Sequence, residues 1–133
     1  MNSNFNPDKQ HTLKDAVTIS GTGLHTGVMA DLTLNPASSG FGFQFKRVDL
    51  PEQPIIKADC DLVTDTSRGT TLEANGAKVS TVEHVLAALV GMGVDNCLIG
   101  INGQEMPIMD GSSQPFVELI EEAGVLEQEA AKL

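Results

Sequence analysis

Basic residues are scarce in this chain: eight Lys and Arg stand against 18 Asp and Glu, a formal net charge of −10 over 133 residues. A phosphate backbone is held mainly by clustered Lys and Arg, so this balance argues against a nucleic-acid or anionic-membrane binder. Cysteine is scarce as well. Cys60 and Cys97 stand in unrelated contexts, which excludes a disulfide framework and a C-x-x-C motif. No apolar run approaches the roughly 18 residues of a membrane span. The opening Met1-Asn2-Ser3-Asn4-Phe5-Asn6-Pro7-Asp8 has neither a basic nor an apolar stretch and does not read as a secretory signal. A reduced, cytoplasmic protein is the expectation. Hydrophobic residues make up 41%, one domain's worth of core. A chain of this size buries roughly two-thirds of its unfolded surface without covalent or metal staples.

Alternation of apolar and polar residues predicts strands with one buried face. Val28, Ala30, Leu32 and Leu34 alternate in this way, as do Phe41, Phe43 and Phe45. Strands are also expected over 16–24, 55–58 and 96–101, the last followed by Asn102-Gly103, a strong hairpin signal. Two segments switch to the helical period. Ser80-Thr81-Val82-Glu83 has the spacing of a capping box, after which Val82, Val85, Leu86 and Leu89 fall on one helical face and Gly91 and Gly93 stop the helix. A second helix is expected from Ser112 or Ser113 to Gly124, with Phe116, Leu119, Ile120 and Ala123 inward. Residues 1–10 are polar, and 1–8 read as a disordered leader. The folded domain is placed at 9–124, and the acidic residues 125–133, with no strand signal of their own, read as the start of a linker. Strands without regular βαβ alternation predict an α+β fold, a two-layer sandwich in which a mostly antiparallel sheet is covered on one face by two helices.

The first helix is the most informative element, although a lone histidine such as His84 is more often structural than catalytic. His84 falls opposite the core stripe, among Ala87, Ala88 and Gly91, where a solvent-facing helix would carry long polar side chains. Such a face of small residues predicts close packing by another domain or subunit. Glu83 beside His84 can be read in two ways. It completes the capping box, or it acts as the carboxylate base next to a metal-binding imidazole, as a zinc hydrolase requires. Two other patterns carry less. His11 and Asp15 have H-x-x-x-D spacing, but along a strand they would lie about 13 Å apart, too far to share a metal. Gly21-Thr22-Gly23-Leu24-His25-Thr26 has Thr26 where a dinucleotide-binding loop needs glycine, and reads as a hairpin bend.

Taken together, Gly23-Leu24-His25-Thr26-Gly27, Ser80-Thr81-Val82-Glu83-His84, Asp95-Asn96 and Pro107-Ile108-Met109-Asp110-Gly111-Ser112 resemble the UDP-3-O-acyl-N-acetylglucosamine deacetylase family (LpxC) of lipid A biosynthesis, from about Lys9 to Gly124. The resemblance implies a zinc enzyme of two similar α+β domains packed through their helices, acting on a UDP-linked acylated glucosamine. It implies that His84 is a zinc ligand and Glu83 the general base. His25 would lie near the active site without binding metal, while Thr66 and Asp110 would lie close to the cleft. The remaining zinc ligands, a His and an Asp in an H-K-x-x-D motif, and a further catalytic histidine belong to the family's second domain. This sequence does not contain them, its only histidines being His11, His25 and His84. The expectation is therefore an N-terminal domain, inactive alone, that self-associates through its uncovered helix face. Some members carry a fused hydroxyacyl dehydratase. The rival expectation is a non-catalytic α+β docking module in which Glu83 is only a cap.

Overall fold

The computed structural model describes residues 8–65 and 69–132. In chain order the elements are β1 (Lys9–Leu13), β2 (Val17–Thr22), β3 (Met29–Pro36), β4 (Phe43–Arg47), β5 (Ile55–Lys57), β6 (Val63–Asp65), β7 (Thr71–Ala74), β8 (Ala77–Ser80), α1 (Glu83–Gly91), β9 (Cys97–Ile101), α2 (Gln114–Ala123) and β10 (Val125–Ala131). The main sheet has the order β2-β3-β9-β4-β5, and only its β4–β9 pair is parallel. From Ala30 on, its apolar alternation does what the sequence predicts, with Ala30, Leu32, Leu34, Phe45, Ile56, Ile99 and Ile101 in one core, whereas Val28, expected on the same face, precedes β3 and is exposed. Val82, Val85, Leu89, Phe116, Ile120 and Ala123 close that core from the two helices. The helices also pack on each other, and α2 packs on β2. The result is an α+β fold with mainly antiparallel sheets. Among the described residues no helix is long and apolar enough to cross a membrane.

The structure departs from the sequence expectations in several places. Residues 125–133 are not featureless, because β10 pairs antiparallel with β1. That pairing is held partly by polar groups, which leave no hydrophobic period to read: Asn96 Nδ2 donates to Gln10 Oε1 at 2.9 Å and to Gln128 Oε1 at 2.8 Å. β1 itself begins inside the polar N-terminal stretch and buries Gln10, His11 and Thr12. His11 lies between Asp95 and Glu127 at 3.8 and 3.9 Å, whereas Asp15 is exposed, so the H-x-x-x-D spacing marks no shared site.

The hairpin lies at the other Asn-Gly pair. Asn75 and Gly76, at φ 54° and 76°, join β7 to β8 with Ala74 opposite Ala77, the left-handed pair that a tight hairpin turn needs. Asn102-Gly103 makes no hairpin. The residues after it bind elsewhere: Gln104 O accepts from Ser80 N at 2.9 Å, and Ile108 N donates to Thr22 O at 2.9 Å. This crossing brings the 104–110 loop against both the β2 end and the start of α1.

Candidate active site

The start of α1 is not a capping box. Ser80 still belongs to β8, with its N–H donating to Gln104 O and its carbonyl accepting from Met106 N at 3.1 Å. Thr81 then takes φ 59°, a left-handed conformation rare for a β-branched residue. It turns the chain so that the helix begins only at Glu83, with Val82 as the N-cap and no side-chain cap bond. Glu83 thus sits in the first turn. Among the described residues its two carboxylate oxygens accept only long contacts of 3.4 Å from Thr70 N. Gly69 closes over them: a Cβ there would come within 3.2 Å of Thr81 Oγ1 and 3.3 Å of Glu83 Oε2.

His84 is half-buried on the same open side of α1 as the exposed Ala87, Val90 and Gly91. Ala88, expected on that side, is buried at 1% exposure, because the core stripe is rotated toward Val85 and Ala88 and away from Leu86, which is only half-buried. Among the described residues nothing hydrogen-bonds the His84 imidazole. Asp110, exposed in the 104–112 loop, accepts from the Ser112 hydroxyl at 2.6 Å and the Ser112 N–H at 2.9 Å. Those two bonds, with a smaller pull from nearby His84, hold its carboxyl below the usual aspartate range.

The G-L-H-T-G segment is the β2–β3 connection, closed by Gly23 N donating to Val28 O and Gly27 N to Gly23 O, both at 3.0 Å. It is a hairpin bend, as the sequence predicts. A residue the sequence reading did not single out fastens it. Glu105, 3% exposed, accepts from His25 N at 3.0 and 3.1 Å, from Thr26 N at 2.9 Å and from Thr81 Oγ1 at 2.9 Å. Its only sequence signal is a lone charge ahead of the apolar Met106-Pro107-Ile108 run. Gly23 is needed because a Cβ there would overlap the Glu105 carboxylate.

Burial alone would push the Glu105 carboxyl up. The Thr26 and His25 amides and the Thr81 and Thr26 hydroxyls outweigh it, so the carboxyl lies below the ordinary glutamate value. A carboxyl whose pKa is lower folded than unfolded stabilises the fold fully above its unfolded value, and that stability is lost as pH falls through the folded value. In urea unfolding, the stability gap between this chain and its Glu105→Gln variant is therefore expected to be flat between about pH 6 and 8 and to close below about pH 4.3. A gap independent of pH would show that the charge contributes nothing.

Of the site residues expected from sequence, the structure brings Glu83, His84 and Asp110 to one end of α1. His25 is exposed, and its backbone joins that end through Glu105 and Thr81. Thr66 lies outside the described residues. Among the described residues there is no group of three or more His, Cys, Asp or Glu side chains placed to hold a metal ion. A catalytic zinc needs three protein ligands, more than any cluster among the described residues offers.

The chain matches the LpxC family, UDP-3-O-acyl N-acetylglycosamine deacetylase, over residues 10–133. It is 55% identical to a bifunctional enzyme LpxC/FabZ of Bacteroides thetaiotaomicron over 93% of this chain and 27% of that protein. It is 51% identical to a UDP-3-O-acyl-N-acetylglucosamine deacetylase of Methylococcus capsulatus, and 48% identical to one of Xanthomonas campestris pv. campestris, in each case over 93% of this chain and 41% of the relative. The chain thus spans well under half the length of these curated relatives. With the G-L-H-T-G bend, the T-V-E-H helix start and the M-D-G-S loop meeting at one end of the fold, the chain belongs to the LpxC family of deacetylases.

Proposed function

We propose that this chain is the N-terminal half of the catalytic site of a cytoplasmic, zinc-dependent deacetylase that hydrolyses the acetamide of UDP-3-O-acyl-N-acetylglucosamine in lipid A biosynthesis. The observation that carries this reading is the open end of α1. Glu83 is not used as a cap, and among the described residues nothing hydrogen-bonds the His84 imidazole beside it. The capping role that a docking module would give Glu83 does not form.

His84 would supply one zinc ligand, and the others would come from residues outside this chain. When bound, zinc would polarise the acetamide carbonyl and lower the pKa of water. Glu83, in the first turn of α1, would take the proton from the attacking water, and the further catalytic histidine of the second domain would stabilise or protonate the intermediate before acetate leaves. His25 would contact substrate or support a residue that does, while Asp110 and Thr66 would border the cleft. The exposed Ala87, Val90 and Gly91 would be covered by the second domain, and when uncovered would pair copies of this chain.

A zinc titration tests this, using the 133-residue chain alone and mixed with the separately made remainder of its parent. Alone, the chain is expected to take up no stoichiometric zinc after dialysis and, in sedimentation, to associate with increasing concentration. The mixture is expected to bind one zinc and release acetate from the UDP-linked substrate. Tight zinc binding by the chain alone, or no binding by the mixture, would sink the shared-site reading.

A further inference from the structure

We infer that Glu105 is a positioning residue, whose buried carboxylate locks the His25 loop to the Thr81 turn and so sets the direction in which Glu83 and His84 leave β8. This rests on the reading of Glu83 and His84 given above.

Two segments distant in sequence meet on one side chain. The amides of His25 and Thr26 come from the β2–β3 bend, and the hydroxyl of Thr81 from the turn two residues before Glu83. Among the described residues no cation pairs with Glu105. Its charge is met by N–H and O–H donors alone, with both oxygens engaged. An unpaired buried carboxylate is costly, and donors must be aimed at it for the fold to tolerate it. The main chain holds it on both sides, through Ser80 N to Gln104 O and Met106 N to Ser80 O.

Thr81 shows what the lock controls. A non-glycine residue in the left-handed region is strained and persists only where its surroundings over-determine it. Here the Thr81 hydroxyl is tied to Glu105. That strained residue is the joint between β8 and α1, so its orientation decides where the first helical turn points. With Glu105 gone, Thr81 can relax, the bend carrying His25 loses two anchors, and both halves of the site shift while the core remains.

The experiment uses the zinc-loaded full-length parent with Glu105→Ala, Glu105→Gln, Thr81→Ala and the Glu105→Ala/Thr81→Ala pair. Displacement of reacting groups without loss of ligands should lower kcat of Glu105→Ala by about 10–100-fold, with zinc content kept and KM little changed. Glu105→Gln should recover much of that, since its amide oxygen still accepts from the backbone. Adding Thr81→Ala to Glu105→Ala should cost little more, because the two act through one bond. Amide hydrogen exchange supplies a readout independent of turnover: residues 23–28 and 79–84 should lose protection in Glu105→Ala. A Glu105→Ala enzyme with lower thermal stability, wild-type kcat and unchanged protection of these segments would overturn the inference. If Glu105→Ala does not fold, Thr81→Ala decides, and wild-type kcat with unchanged exchange there overturns it equally. If the wild-type parent does not deacetylate, the functional proposal fails, and the exchange data still decide the positioning role.

Discussion

Glu83→Gln in the full-length parent is expected to lower kcat by about 10²–10⁴-fold, the contribution of a general base. That is equivalent to about 3–5.5 kcal/mol of barrier. The structure makes the substitution clean. Glu83 caps nothing, and among the described residues its hydrogen-bond contacts are two 3.4 Å approaches from Thr70 N. Glutamine keeps the shape and an acceptor oxygen for that amide, but it cannot take a proton from water at neutral pH. In stability the variant should lose no more than the favourable placement of a negative charge at a helix N-terminus, about 0.3–1 kcal/mol. Zinc content should be unchanged, because the neighbouring imidazole is untouched. Steady-state deacetylation with metal analysis on the same preparation checks both. Near-normal turnover in a folded, zinc-loaded variant would remove Glu83 from the chemistry, whatever the family membership.

The contrast between Glu83 and Glu105 shows what sequence can and cannot deliver. Glu83 and His84 are adjacent and sit in a motif with a recognisable neighbourhood, so their pairing is local and legible. Glu105 matters through residues 80 and 24 positions away, and no local pattern announces a carboxylate that fastens two distant turns. The same division runs through the fold. β3 and the helices bury apolar residues at a regular period and are legible. β1 and β10 depend on Gln10, Thr12, Asn96 and Gln128; Thr12 Oγ1 donates to Asn96 O at 2.7 Å, for example. Polar pairing of this kind has no hydrophobic period. The capping box misleads for a related reason. Ser80 and Glu83 have the right spacing, but Ser80 is held in a strand by Gln104 and Met106, and the left-handed Thr81 delays the helix. Likewise the two Asn-Gly pairs look alike, and the availability of partners after the turn decides which becomes a hairpin.

His84→Ala is expected to behave differently from Glu83→Gln, and the difference identifies the metal ligand. Removing one of the three protein ligands of a catalytic zinc should weaken metal binding beyond the roughly 10–100-fold cost of disturbing a group that merely supports a ligand. The full-length variant should emerge from dialysis largely without zinc and with its deacetylation lost in proportion. Loss of fold would mimic this result, and the structure argues against it. The imidazole is half-buried on the open side of α1, and among the described residues nothing hydrogen-bonds it. Alanine is the better helix former by a few tenths of a kcal/mol, so the metal-free stability of the variant should equal or slightly exceed that of the wild type. Measured in urea on the metal-free 133-residue chain, an unchanged or raised midpoint together with lost zinc in the parent assigns His84 to the metal. Glu83→Gln keeping its zinc while losing turnover completes the separation of ligand from base. Were His84→Ala to retain one zinc per molecule after dialysis, the imidazole would be no ligand, and the open end of α1 would need another explanation.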